Sequence, residues 1–217
     1  MPTIPTTTII FNGPPSAGKD MVVNKLHDHF GEGIIARHQF KKQLFVATCD
    51  HYNLRMNDFM SCYSEKEKNN PRESLGGLSP RQAMIKVSED ILKPLYGEDY
   101  FGQMAAQEIA ENRVNLFSDG GFLEEIKPID VVSDNLLIVQ LYRKGCTFEN
   151  DSRSYIGKPE KYYGWGDPKD YQYERRVLTT SYQSIAYLNN GRIKDFYEFA
   201  KSLVEFYADG NAAYGTT

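Results

Sequence analysis

Cysteine is scarce: Cys49, Cys62 and Cys146 are the only three in 217 residues, and no CxxC pair occurs among them. An odd, scattered set gives neither a disulfide framework nor a zinc-site spacing, so a reducing cytoplasm is the expected location. Long apolar runs are lacking too. No stretch approaches the ~20 apolar residues of a membrane span, and the opening MPTIPTTTIIFNG has no basic leader region, so neither insertion nor export is expected. Basic charge is not in excess, with 25 Lys and Arg against 29 Asp and Glu. The resulting net charge of −4 argues against a surface devoted to nucleic acid but is compatible with a local basic groove. The four histidines, His27, His29, His38 and His51, have no partner spacing and read as structural or surface residues. What the chain does have is tyrosine, at 15, within an ordinary globular composition of 41% hydrophobic and 25% charged residues. The length suits a single domain spanning residues 1–217.

Apolar patterning sets out the order of elements. TTTIIFN (6–12) is β-branched and apolar and reads as a buried first strand; Val22, Val23, Leu26 and Phe30 then form one stripe of a helix that the GEG turn stops. IIARHQF (34–40) suggests a second strand and KKQLFVATCDHY a short helix behind it. Residues 53–78 are polar and rich in breakers, which predicts an exposed excursion. Ser79 as N-cap and Pro80 at the first helical position then open a helix with Ala83, Val87 and Ile91 on one face, and a second helix is expected over about 98–111. VNLF and NLLIVQLY are continuous apolar strands, SIAYLNNG offers a last strand, and Ile193, Phe196, Ala200 and Leu203 line a closing helix. The stretch 143–183 is long, polar and aromatic, and reads as a lid or substrate-facing loop. Strands alternating with helices predict an α/β fold whose ligands sit at the carboxyl ends of a parallel sheet.

One such end carries GPPSAGKD, Gly13 to Asp20. The spacing G-x-x-x-x-G-K is that of a phosphate loop: glycines let backbone N–H groups curl around phosphate oxygens, and Lys19 adds charge at the β and γ groups. Gly13, Pro14, Pro15, Ser16, Ala17, Gly18, Lys19 and Asp20 are therefore the candidate ATP-binding residues. The pattern normally ends in Ser or Thr, whose hydroxyl meets Mg²⁺. Asp20 offers a carboxylate there, another hard oxygen donor, acting directly or through water. Asp119, after the third strand, is the second candidate Mg²⁺ group, the alternative being a strand-end turn residue.

Taken together, GPPSAGKD, LGGLSPRQAMIKVSEDILKPLYGEDYF, SDGGFLEE, YRKGCTFENDSRSYI and YLNNGRIKDFYEFAKSLV resemble, in order over about residues 8–205, the phage-type deoxynucleoside monophosphate kinases of the P-loop nucleotide-kinase group. The most specific piece is GGLSPRQ followed by GEDYF. The resemblance implies a three-layer P-loop NTPase fold with a central five-stranded parallel sheet, an acceptor-binding region over 40–112 and a lid over 143–183. It implies that Lys42 and Arg81 hold the acceptor phosphate and that Arg143 and Arg153 face the phosphoryl groups, Arg143 at the ATP side. For each, the alternative is a solvated surface charge. The chain departs from the family pattern at two places: Gly121 stands where relatives tend to carry Arg, and Arg153 where they tend to carry His. Glycine there makes room for something larger.

The activity expected from this resemblance is ATP- and Mg²⁺-dependent phosphoryl transfer to a deoxynucleoside monophosphate, with Lys19, Asp119, Arg81 and Arg143 as catalytic residues. One alternative acceptor is a hydroxymethylated pyrimidine, free or in DNA. The run Tyr162, Tyr163, Trp165, Tyr171 and Tyr173 would then stack on a flipped base, or else pack the lid onto the body. A non-catalytic nucleotide-binding regulator is the third reading. No membrane partner is expected, and a homodimer is left open.

Overall fold

Every residue of β1 (Thr7–Asn12) is buried, because the strand has neighbours on both edges and helices on both faces. The structure, a computed structural model, describes residues 4–64, 66–149, 151–164, 177–178 and 182–210. Strand β3 (Val114–Phe117) pairs in parallel with one edge of β1 and β4 (Asn135–Arg143) with the other. β2 (Ile35–His38) lies outside β3, while β8 (Gln183–Asn189) and β6 (Lys161–Gly164) extend the sheet beyond β4, all in parallel. The order is β2-β3-β1-β4-β8-β6.

The sheet thus has six strands, which corrects the expected five. The added strand is KYYG, inside the stretch expected to be a lid. Its residues alternate between half-buried and exposed, as befits an edge, so it lacks the continuous apolar run by which the other strands are recognised. A separate two-stranded pair joins β5 (Tyr155–Ile156) to β7 (Val177–Leu178).

Alternate residues of β1 enter different cores. Ile9 and Phe11 pack with Val22 and Leu26 of α1 (Lys19–Phe30) and with Phe196 of α8 (Ile193–Ala208). Ile10 faces the other way, onto Ala105 of α6 (Tyr100–Ala106) and Ile126 and Ile129 of α7 (Leu123–Val132). Helices on both faces of a parallel sheet make the expected α/β architecture. The sequence reading places no element over 120–134; Pro128, inside α7, reads as a helix breaker. The helix expected over 98–111 closes earlier, at Ala106.

Residues 53–78 are folded against the body rather than forming a wholly exposed excursion. Phe59, in α3 (Met56–Cys62), and Leu75 are fully buried, in a satellite cluster with Phe45 of α2 (Lys41–His51) and with Ala83 and Met84. Ala83 and Met84 belong to α4 (Pro80–Lys86), whose start is the capping box anticipated in part: Ser79 accepts from the Gln82 N–H, and the Gln82 side chain accepts from the Ser79 N–H. The helix widens into a π-helical turn over Val87–Leu92 before α5 (Lys93–Tyr96). Pro94, which has no N–H to donate, is the second residue of α5. Among the described residues no helix is long and apolar enough to cross a membrane, and the three cysteines are free.

Because β1 sits between β3 and β4 while the chain runs outward to β2 first, the connections diverge at the carboxyl end of β1. A crevice opens at such a point in a parallel sheet. GPPSAGKD and Asp119 both lie there.

Candidate functional site

The loop after β1 is fixed from behind. A Cβ on Gly13 would lie 2.8 Å from the Leu141 carbonyl, so the loop leaves the sheet packed directly on β4. Ser16 and Gly18 both take positive φ, 62° and 107°, and Gly18, the residue before α1, provides no side-chain cap. The first-turn N–H groups of α1 therefore start at the crevice without a capping side chain. Asn189, from the end of β8, donates to the Ala17 carbonyl at 3.1 Å, and Arg143, from the end of β4, donates to the Ser16 carbonyl at 2.7 Å. Lys19 Nζ donates to the carbonyls of Gly13 and Pro14, both at 2.6 Å. Burial first, and the Arg153 charge second, lower its pKa to about 8.

Pro15, Ser16, Gly18, Lys19 and Asp20 form one wall of a cleft of about 440 Å³, with Arg143 beside them. Gly13, Pro14 and Ala17 are not lining residues. They lie behind the wall, the first two as acceptors for Lys19 and the third fully buried.

The acidic candidates differ in how they are held. Asp20 Oδ1 accepts from Ser118 Oγ at 2.6 Å. Asp119 accepts the Phe40 N–H on one oxygen (3.0 Å) and the Lys41 N–H on the other (3.1 Å), which ties the end of β3 to the start of α2. Burial raises its pKa, opposed by the Lys41 charge and those two N–H groups. Among the described residues no set of three or more His, Cys, Asp or Glu side chains could hold a metal alone. Asp20, Ser118 and Asp119 all line the cleft, and one or two carboxylates completed by water and phosphate oxygens are the usual Mg²⁺ arrangement, so this donor set fits that ion.

Arg81, Asp151 and Arg153 line the same cleft. Arg153 donates through Nε and Nη2 to the two oxygens of Asp151 at 2.9 and 2.7 Å, a fork-on-carboxylate pair, and Arg81 Nη2 lies 3.8 Å from the same carboxylate. Burial alone would raise the Asp151 pKa, but the Arg153 hydrogen bonds and charge hold it below the usual carboxylate range. Lys42 is not part of this group. Its ammonium pairs with Glu108 at 2.8 Å, and its neighbour Lys41 lines the cleft instead. Of the aromatic run, Tyr162 is on the edge strand β6 and 44% exposed, and Tyr163 packs against Phe199; neither lines the cleft. Trp165, Tyr171 and Tyr173 lie outside the described residues.

Gly121 and Arg153, the two positions at which the sequence departs from the pattern it resembles, touch each other. A Cβ on Gly121 would fall 2.6 Å from Cβ and Cγ of Arg153 and 2.7 Å from its Cδ. The larger group for which the glycine makes room is thus the Arg153 stem. Gly121→Ala is expected to destabilise the protein by about 1–3 kcal/mol, as overpacking does. Arg153→Gly removes all three atoms, so adding Gly121→Ala to it should cost much less. Chemical denaturation of the four members of this cycle gives the coupling; additive losses would show that the stem is not what Gly121 accommodates.

Besides Ser118 and Lys41, three participants escape the sequence reading. Asn12 is fully buried; its amide donates to the Gly120 and Ser154 carbonyls and accepts the Ile156 N–H, bringing the Arg153 segment to the end of β1. Its signal is a lone amide ending an apolar strand. Asp151 lies in a loop where nothing local marks it. Glu125 lines the cleft at 8% exposure, its acid hidden among the EE pair that opens α7. Compared with protein-family models and with curated proteins, the sequence matches none.

Proposed function

We propose that the protein is a phosphotransferase that uses ATP as donor in the manner of P-loop kinases. Within that class, the acceptor that fits best is a deoxynucleoside monophosphate, converted to its diphosphate. The observation that carries this reading is the cleft itself: a glycine-bearing loop with a buried lysine at a helix start lines it together with Arg81, Arg143 and Arg153. Two anionic ligands meeting end to end need cations at both ends and little else.

In this reading the first turn of α1 and Lys19 hold the donor phosphates, and Arg143, already bonded to the loop, adds charge beside them. Asp20, with Ser118 and Asp119, would hold Mg²⁺, which would supply positive charge against the phosphates. Arg81 and Arg153 receive the acceptor phosphate and orient its oxygen in line with the transferred group. Asp151 is a positioning residue for both. No covalent nucleophile is required, because positioning and charge stabilisation supply most of the catalysis in this chemistry.

The test is transfer of γ-labelled phosphate from Mg-ATP to each deoxynucleoside monophosphate and, in parallel, to duplex DNA with and without hydroxymethyluracil. Labelled diphosphate is the expected result. Label only in modified DNA would replace the acceptor with a hydroxymethylated pyrimidine, and binding of ATP with no transfer to any acceptor would make the protein a nucleotide-binding regulator.

A further inference from the structure

Glu125 is the most deeply buried carboxyl of the cleft that the phosphate-transfer reading leaves unused. It is the third residue of α7, and its backbone rests directly on Gly102 of α6, with no room for a Cβ between them. Its position is therefore set by two helices rather than by a loop. Its side chain is more than nine-tenths buried, lines the cleft, and makes no hydrogen bond or ion pair among the described residues.

A buried carboxyl without a partner is costly, and an ionised one far more so. In a cleft that collects phosphates such a charge would also repel the ligand. Lys93 and Arg153 act on it only through their charge, so an uncharged polar surface entering the cleft is the partner that suits it. Its surroundings describe that surface. Phe101 and Phe122 line the same cleft, as do Met84 and Ile85 from α4 and Ser88 from the π-helical turn. Apolar and aromatic walls with one or two placed polar groups are the usual make-up of a site for a flat heterocycle.

We infer that Glu125 is the specificity-determining residue for the acceptor, hydrogen-bonding to the polar edge of its nucleobase where the base lies against Phe101 and Phe122. This rests on the monophosphate-kinase reading for the acceptor's identity. Burial, with the Asp119 charge next, raises the Glu125 pKa to about 8, so at neutral pH the carboxyl carries a proton and presents a donor and an acceptor side by side. Every base has a donor and an acceptor adjacent on its pairing edge, so the relative placement of the two selects among them. A site built to pair with such an edge rejects ligands that leave its own groups unpaired.

The test compares wild type with Glu125→Leu, which keeps the volume and removes both hydrogen-bonding groups, and Glu125→Gln, which keeps a donor and an acceptor. Dissociation constants for the four deoxynucleoside monophosphates are measured by calorimetry, and kcat/KM for each in the presence of Mg-ATP. For Leu, affinity for the favoured base should fall 10- to 100-fold while the disfavoured bases move less than about threefold, so that discrimination collapses. For Gln, the loss should be smaller and the ranking of bases altered. An equal fall for all four bases, an unchanged ranking in both variants, or no binding of any monophosphate by wild type would each overturn the assignment. Transfer that drops equally in Leu and Gln with binding unchanged would do so too, since it would make Glu125 a proton acceptor. Base-dependent binding that the variants abolish, with no transfer in wild type, would support Glu125 as the base reader and remove the kinase reading alone.

Discussion

Lys19→Met is expected to lower kcat for phosphoryl transfer by about 100- to 1000-fold, the loss typical of removing one preorganised charge-stabilising donor. Two of the three ammonium hydrogens are committed to the Gly13 and Pro14 carbonyls at 2.6 Å, so the lysine both closes its own loop and offers one hydrogen to a ligand oxygen. Methionine keeps the stem in its slot, where the residue is only 6% exposed, and removes both functions. Lys19→Arg should not rescue, because a planar guanidinium cannot occupy a slot bounded by two carbonyls so close. The same variant should also weaken Mg-ATP binding. Steady-state rates and calorimetric ATP titration together decide the matter: a kcat within threefold of wild type, with ATP affinity unchanged, would remove the donor assignment.

The place of that lysine at the cleft was legible because the strand-loop-helix pattern around it is local. Spacing, a β-branched strand before and an apolar stripe after are all contained in residues 6–30, and β1 and α1 form there. The same holds for the Ser79 cap, the β4 strand and the closing helix, each specified by a short pattern. The features that were not legible depend on distant partners. β6 is a strand because β8 presents it an edge; its own residues are polar and aromatic. Arg153 and Gly121 look independent in sequence and meet because Asn12 draws residues 154–156 to the end of β1 and the Ser154 N–H donates to the Gly121 carbonyl. Between Lys41 and Lys42 the sequence offers no choice. The first turn of α2 decides it, anchored by the Asp119 carboxylate on two backbone N–H groups, with Lys42 turned to Glu108. Glu125 is a burial effect, invisible until α6 and α7 are packed together.

Glu125→Gln should make the protein progressively more stable than wild type as pH rises, and the sign follows from the two protonation states. Glu125 has a pKa of about 8 in the folded protein against an ordinary value of 4.5. Below about pH 4.5 both folded and unfolded forms carry the proton and the group imposes no penalty from ionisation. Between the two values the unfolded chain releases the proton and the folded one keeps it, so stability falls as pH rises, by up to about 1.4 kcal/mol per pH unit. Above about 8 the folded form also ionises and the loss levels off. The groups that set this value are known: burial raises it first, Asp119 and Glu124 push the same way, and Lys93 and Arg153 oppose them. Asp119, itself raised by burial, adds a slope of the same sign, but it is present in both proteins and largely cancels in the difference. Glutamine has no proton to lose, so urea unfolding at pH 5, 6.5 and 8.5 should show the variant gaining on the order of 3 kcal/mol over wild type across that range. Parallel profiles would mean that the Glu125 carboxyl is solvated in the folded protein, and a solvated, ionised carboxylate could not serve as the donor that an uncharged base edge requires.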